Sequence, residues 1–394
     1  MIKTPVYMDY HATTPVDQRV LQAMMPFFTE HFGNAASLQH RFGWVAKEAV
    51  EVARKTIANA INAQPKEIVF TSGATESNNL ALKGVADGMK GRGNHIITVQ
   101  TEHKCVLDSC KRLEEQGYEV TYLPVDSAGK VNVEDVKNSI TAKTIVISVM
   151  MANNEIGTIQ PVAEIGKLCG EHGIIFHTDA TQAVGKLSID VQVMNVHLMS
   201  FSSHKIYGPK GVGALYVRSR NPRIVLTPQL DGGGQEHGLR SGTLNVSSIV
   251  GFGKAVQIAV EEREEEHRRV CALRDQLQEK LSTLEHVTFN GDLTDKLSNN
   301  LSVTFHGVNA EMLMTEVSDV AVSAGAACNS EDVGDAQFSH VLQAIGLDAD
   351  AGRSTIRFGL GRFTTQEEID YTANRMIEAV EKLRTYSITG APSL

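Results

Sequence analysis

The chain has 394 residues, 42% hydrophobic and 21% charged, with 33 glycines against 10 prolines. That profile excludes a disordered or fibrous chain and fits a soluble α/β globule with one large and one smaller domain. A formal net charge of −9 leaves no clustered basic excess with which to hold nucleic acid or an anionic membrane. The opening "MIKTPVYMDYHATTP" has no apolar leader core, and no stretch approaches the roughly 18 apolar residues of a membrane span. A cytoplasmic protein with no nucleic-acid or membrane partner is expected.

From about residue 66, short apolar runs alternate with helical stretches. "EIVFTSG" precedes "ATESNNLALKGVADGM", "HIITVQ" precedes "HKCVLDSCKRLEEQG", and "EVTYLPV", "TIVISVM", "IIFHTDA", "VHLMSFSSHK" and "GVGALYV" follow. Strand and helix taking turns predicts a mostly parallel sheet covered by helices. The short, β-branched, Gly-bounded runs "GRGNHIITVQ" and "GYEVTYLPV" read as buried strands. After "GTLNVSSIVGFGKAVQIAVEE" comes a long charge-rich helix in which Val270, Leu273, Leu277, Leu281 and Leu284 recur at helical spacing, predicted to bridge the domains. The strands "NLSVTFHG" and "STIRFGLG", then the helix "TQEEIDYTANRMIEAVEKLR", predict a small α+β domain. The large domain is expected over 16–262, and the small one over 1–15 and 263–394.

The five cysteines, at 105, 110, 169, 271 and 328, are odd in number and lack zinc-site spacing, so neither a disulfide framework nor a metal site is predicted. Four read as filler in helices or beside strands. Cys328 stands apart in the polar, Gly- and Ala-rich "AVSAGAACNSEDVGDAQFSH", without the apolar neighbours of a core thiol.

Polar residues fall at the ends of the apolar runs, where open α/β sheets bind ligands. Lys205 follows "SFSSH" and Asp179 ends "GIIFHTD"; alone they read as a solubilising charge and a helix N-cap. Together they are the two groups pyridoxal phosphate needs: an amine that condenses with its aldehyde and a carboxylate that keeps the ring nitrogen protonated. In "EIVFTSGATESNN" a strand, a Gly turn and a helix start offer the Ala74 amide and Thr75 to a phosphate. His103, just past "HIITVQ", is placed to stack on a ring or to serve as acid and base.

The stretches "YMDYHATTPVD", "FTSGATESNN", "TEHKCV", "ANNEIGTIQP", "HTDATQAVGK", "SFSSHKIYGPKGVGALYV", "GGGQEHGLRSGTLN" and "TIRFGLGRFTTQEEID" resemble the cysteine desulfurases over nearly the whole chain. These form the class V aminotransferase-like branch of fold type I pyridoxal phosphate enzymes. The resemblance implies pyridoxal 5'-phosphate as cofactor, with Lys205 as its covalent anchor, Asp179 at the ring nitrogen, His103 stacked as acid and base, and Gln182 at the ring hydroxyl. Thr75, Ser202 and His204 would hold the phosphate, and Thr243 would reach it from the other subunit of a homodimer. Asn154 and Arg357 would bind the substrate carboxylate, a task that suits the planar fork of arginine. Cys328 would accept sulfur from L-cysteine, leaving L-alanine, and deliver it to acceptor proteins of iron–sulfur cluster assembly or thiolation. The chain departs from the desulfurase pattern "GSACTS" in reading "GAACNS", with Ala326 and Asn329. That is closer to the similar selenocysteine lyases and leaves L-selenocysteine open as a substrate. An ordinary aminotransferase, which would not need Cys328, and a catalytically silent scaffold for sulfur-pathway partners are the remaining alternatives.

Overall fold

The computed structural model describes residues 2–324 and 338–389. Strand β1 (Val6–Tyr7) opens the chain. The large sheet is built from β2 (Ile68–Thr71), β3 (His95–Val99), β4 (Glu119–Leu123), β5 (Thr144–Ser148), β6 (Ile175–Asp179), β7 (Leu198–Ser202) and β8 (Gly213–Val217). β9 (Val287–Asn290), β10 (Asn300–Phe305), β11 (Val320–Ala321), β12 (Ser323–Ala324) and β13 (Thr355–Gly359) complete the strands among the described residues.

The large sheet runs in the order β2-β8-β7-β6-β5-β3-β4. β8 pairs antiparallel with both its neighbours, while the pairs from β7 to β4 are parallel. The reversal has a local cause. Only residues 203–212 join β7 to β8, too few for the helical crossover that a parallel neighbour requires. Alternate side chains along the strands feed two cores. Phe70, Ile97, Ile147, Phe176 and Phe201 pack on one face, and Val69, Ile96, Val146, Ile175 and Leu198 on the other. The first face is covered by the helices Arg41–Ala60 and Val162–His172, the second by Ala74–Gly88 and Lys104–Glu114. β4 corrects the sequence reading: it is an edge strand, paired only with β3, with Glu119 exposed and Val120, Thr121 and Tyr122 half-buried.

The apolar stretch from Val246 and the charge-rich helix after it form one helix of 36 residues, Val246–Leu281, started by Asn245, whose side chain accepts the Ser248 N–H (3.3 Å). Ile249, Phe252 and Val256 pack in the large core. Val270, Leu273, Leu277 and Leu281 pack in a separate one with Leu301, Val303, Phe305, Ile356, Phe358, the N-terminal Val6 and Met8, and Ile369 and Met376 of the last helix, Gln366–Thr389. Leu284 joins that core from beyond the helix end. The second sheet is antiparallel, ordered β12-β13-β10-β9, and β1 pairs with β11 alongside it.

Two imidazoles are built into the large sheet. His177 lies wholly buried between Ser148 Oγ (2.8 Å) and Ser200 Oγ (3.0 Å) of neighbouring strands. His197 Nδ1 accepts the Phe176 N–H (2.9 Å). Burial holds both well below the usual imidazole range, at about 4, opposed at His177 by Asp179 and reinforced at His197 by Arg218. An imidazole whose folded pKa is lowered contributes stability that is present above its unfolded value near 6.5 and lost as pH falls towards 4, since the unfolded chain then binds more protons. Each such group steepens stability against pH by up to about 1.4 kcal/mol per unit in that window. Denaturant unfolding from pH 7 to 4 is therefore expected to show a falling midpoint, with a shallower fall in His177→Asn. Parallel curves for the two proteins would remove His177 from the account.

Candidate active site

The carboxyl ends of β2, β3, β5, β6 and β7 converge on one cavity of about 630 Å³. This is where the strand order reverses around β3, since β4 lies to one side of it and β5 to the other.

Past β2, the helix Ala74–Gly88 begins at Gly73, which has no side chain to cap the first-turn amides. A Cβ on Gly73 would meet only Ser202 Oγ, at 4.0 Å, so space remains over the helix start. Gly213 on β8 lets the turn come close, for a Cβ there would lie 2.7 Å from Gly73 Cα. Ala74, Thr75, Ser202 and His204 line this end of the cavity. Glu76 lines it as well, and its charge is answered by Arg240 Nε at 2.8 Å. His204 Nδ1 lies 3.1 Å from Thr13 Oγ1, and burial, helped by Lys205, holds its pKa down to about 4.

Past β6, Asp179 is buried and held at both oxygens: Oδ1 accepts the Thr181 N–H (2.9 Å) and Oδ2 accepts Asn78 Nδ2 (2.7 Å). The first bond is the local turn that a capping role anticipates. The second is long-range. Gln182 donates through Nε2 to the His11 carbonyl (3.1 Å), and its Oε1 lies 3.1 Å from His11 Nδ1. Past β7, a single turn, Ser203–Lys205, turns Lys205 into the cavity, where Nζ donates to the carbonyls of His11 and Ala12 (2.7 Å to the latter). Past β3, His103 caps the helix Lys104–Glu114 and faces the same space. Burial lowers its pKa; Lys205 and His340 act in the same direction, and Asp179 opposes them.

Past β5, Asn153 shapes the turn "NNEIG". Its Nδ2 donates to the Thr101 carbonyl (3.0 Å) and its Oδ1 accepts the amides of Glu155 (2.8 Å) and Ile156 (3.0 Å). That sets Asn154 on the cavity wall, its carbonyl accepting Arg357 Nη1 (3.1 Å). Arg357 arrives from β13 of the other sheet, pairs with Asp9 (2.8 Å), and keeps a buried Nε with no hydrogen-bond partner among the described residues.

The cavity thus gathers Lys205, Asp179, His103, Gln182, Ala74, Thr75, Ser202, His204, Asn154 and Arg357. Thr243 is exposed and does not line it. Cys328, with Ala326 and Asn329, lies outside the described residues. The described chain on either side of that stretch is at the site: β12 pairs with β13 at Arg357 and Ile356, and Ser339 and His340 line the cavity. The four described cysteines are free thiols. One corrects the reading of them as filler, for Cys105 lines the cavity beside His103.

Sequence reasoning also passed over His11, Glu102 and Glu155. His11 is buried and reaches Asn299 and Asn300 at the start of β10 as well as Gln182. Its signal was an imidazole in the quoted stretch "YMDYHATTPVD". Glu155 accepts the Ser339 hydroxyl, and burial pushes its carboxyl up to about 7 against the pull of that bond and of Arg357. Glu102 is fully buried, accepts the Met150 N–H (2.6 Å), and is raised well above the carboxylate range by burial and by Asp179.

The aminotransferase class-V family profile matches residues 6–372. The cysteine desulfurase IscS of Ehrlichia chaffeensis is 54% identical over 387 residues, 98% of this chain and 93% of that protein. Among solved structures, a NifS-like protein superposes with a TM-score of 0.88 at 39% identity, covering 96% of this chain and 99% of its own. SspA in complex with cysteine superposes at 0.80 with 40% identity, covering 91% and 100%. Similarity of this extent, along almost the whole chain, means that the chain belongs to the class-V aminotransferase family and, within it, to the cysteine desulfurases.

Proposed function

We propose that the cavity holds pyridoxal 5'-phosphate through Lys205 and converts L-cysteine to L-alanine, passing the sulfur to Cys328 as a persulfide. The observation that carries this reading is the convergence of the Lys205 amine, the Asp179 carboxylate and the His103 imidazole on one cavity that also contains an uncapped helix start.

The residues present fit that cofactor. Asp179, fixed at both oxygens and buried, suits a protonated ring nitrogen; the Gly73 turn, Ala74, Thr75, Ser202 and His204 suit a phosphate; Gln182 suits the ring hydroxyl. Bound there, pyridoxal phosphate supplies an electron sink for charge developing on the substrate Cα. The chain supplies the rest. Arg357, whose Nε has no partner among the described residues, and Asn154 orient the substrate carboxylate. Lys205 Nζ takes the Cα proton, and His103 moves protons at the substrate sulfur. The Cys328 thiolate attacks that sulfur, so an S–S bond forms as the Cβ–S bond breaks. The electron pair of the broken bond remains with carbon and is met by a proton, and one cysteine and one thiol become one alanine and one persulfide.

Exposed Thr243, outside its own chain's cavity, is taken to reach the phosphate of a second copy, which makes the working form a homodimer. The division into 16–262 against 1–15 with 263–394 is supported by the two cores that share the long helix. Among the described residues no helix is long and apolar enough to cross a membrane. A cytoplasmic site of action and delivery of sulfur to acceptor proteins of iron–sulfur assembly or thiolation complete the proposal.

Protein supplied with pyridoxal phosphate and L-cysteine, but no keto acid, is expected to release alanine and sulfide in equal amounts in the presence of a reducing thiol. An aminotransferase would require the keto acid and a scaffold would give neither product; either result contradicts the proposal. Turnover of L-selenocysteine measured alongside decides the preference left open by Ala326 and Asn329.

A further inference from the structure

A chain of hydrogen bonds runs behind His103 to Asp179. His103 Nδ1 accepts the backbone N–H of Cys105 (3.2 Å) and lies 3.0 Å from Cys105 Sγ. That sulfur accepts from Asn78 Nδ2 (3.1 Å), and the same amide nitrogen donates to Asp179 Oδ2 (2.7 Å). Counting donors and acceptors leaves one arrangement. A backbone N–H can only donate, so Nδ1 is the bare nitrogen and the ring proton sits on Nε2. The Asn78 amide nitrogen uses its two hydrogens on the sulfur and the carboxylate, and the Thr75 side chain bonds the same sulfur as a second donor, so the thiol hydrogen is left for Nδ1. Turning the amide over would set its oxygen against the Asp179 carboxylate. The amide keeps this orientation although Asn78 Oδ1 is then buried with no hydrogen-bond partner among the described residues.

We propose that Cys105 is a positioning residue for the desulfurase reaction, its thiol hydrogen holding His103 as the neutral Nε2–H tautomer and, through Asn78, tying the imidazole to Asp179. The inference rests on the roles given to His103 and Asp179 above. It also separates the two thiols near the site. Burial first, and Asp179 and Glu102 next, push the Cys105 thiol up to about 12, so it remains a hydrogen donor while the sulfur-accepting step belongs to Cys328. The charged groups facing His103 are Lys205 and His340, which oppose its protonation, and Asp179 and Asp108, which favour it; burial, the largest influence, acts with the first pair against the second and lowers the pKa of the ring below its ordinary value.

The test uses the whole chain, free of cofactor and labelled with ¹⁵N-histidine, read by long-range ¹H–¹⁵N correlation across a pH series. His103 is expected to show the Nε2–H signature. Cys105→Ser, which keeps a hydroxyl donor, should titrate within a few tenths of a unit of the native chain. Cys105→Ala loses a bond made to the neutral ring, so its His103 midpoint should rise by about half a unit to one unit. The acidic limb of kcat/KM in the loaded enzyme should move with it. An Nδ1–H signature in the native chain, or a Cys105→Ala midpoint equal to the native one, overturns the inference. Because these readouts need no cofactor, their failure is distinct from failure to turn over cysteine, which would strike the functional reading instead.

Discussion

Lys205→Ala is expected to lower cysteine turnover by about a thousandfold or more, with a native fold and an unfolding midpoint close to that of the unaltered chain. Two roles are lost at once, since the same amine is the proposed covalent anchor and the base that takes the Cα proton, and a placed acid or base alone contributes roughly 10² to 10⁴-fold. The fold should tolerate the loss. The His11 carbonyl that accepts Lys205 Nζ also accepts Gln182 Nε2, so truncation does not strand it. Circular dichroism and single-turnover persulfide formation, measured together, check both halves. Cys328→Ala is the counterpart: it should bind pyridoxal phosphate as the native chain does and fail to form the persulfide. A Lys205→Ala protein with more than about a tenth of native turnover would contradict the assignment.

Glu236→Ala is expected to cost about 3–5 kcal/mol of stability. Glu236 and Arg54 form a two-pronged buried pair, with Oε1 to Nη2 and Oε2 to Nη1 both at 2.7 Å. Glu236 Oε2 also accepts the Phe70 N–H (2.7 Å), and Arg54 donates to the Ile68 carbonyl (2.7 Å) and lies over the Phe70 ring. Removing the carboxylate leaves the Phe70 N–H without its partner and the buried guanidinium with only the exposed Glu51, at 3.1 Å from Nε, to answer its charge. Replacing both charges by leucine should cost less than Glu236→Ala alone, because no uncompensated charge then remains. The pair pins to β2 the loop that carries Arg240, the partner of Glu76 at the cavity, and Thr243. Glu236→Ala should therefore weaken the proposed dimer as well. Urea unfolding of the three variants measures the stability term; a loss below about 1 kcal/mol for Glu236→Ala would show that water reaches the pair.

The large sheet was legible because parallel strands buried on both faces read as short apolar runs, and polar residues at their carboxyl ends marked where a ligand would sit. Lys205, Asp179 and His103 follow from that rule, and the resemblance supplied their roles. What burial alone decides was not legible. β4 has the same β-branched character as β3, and only the strand order makes it an edge. Cys105 and Cys110 share one helix, yet 105 faces the cavity while 110 packs in the core. His11, Glu102 and Glu155 are polar residues whose burial comes from distant segments packing over the large sheet, at Asn299, Asn300 and Ser339 among others. Local pattern carries no trace of such partners.

The most direct test of the central claim is to incubate the chain with pyridoxal 5'-phosphate, reduce it with borohydride, and map the modified peptide by mass spectrometry. The account predicts one stable adduct per chain, on Lys205. A protein that takes up no cofactor, or carries its adduct on another lysine while Lys205 stays unmodified, would contradict it.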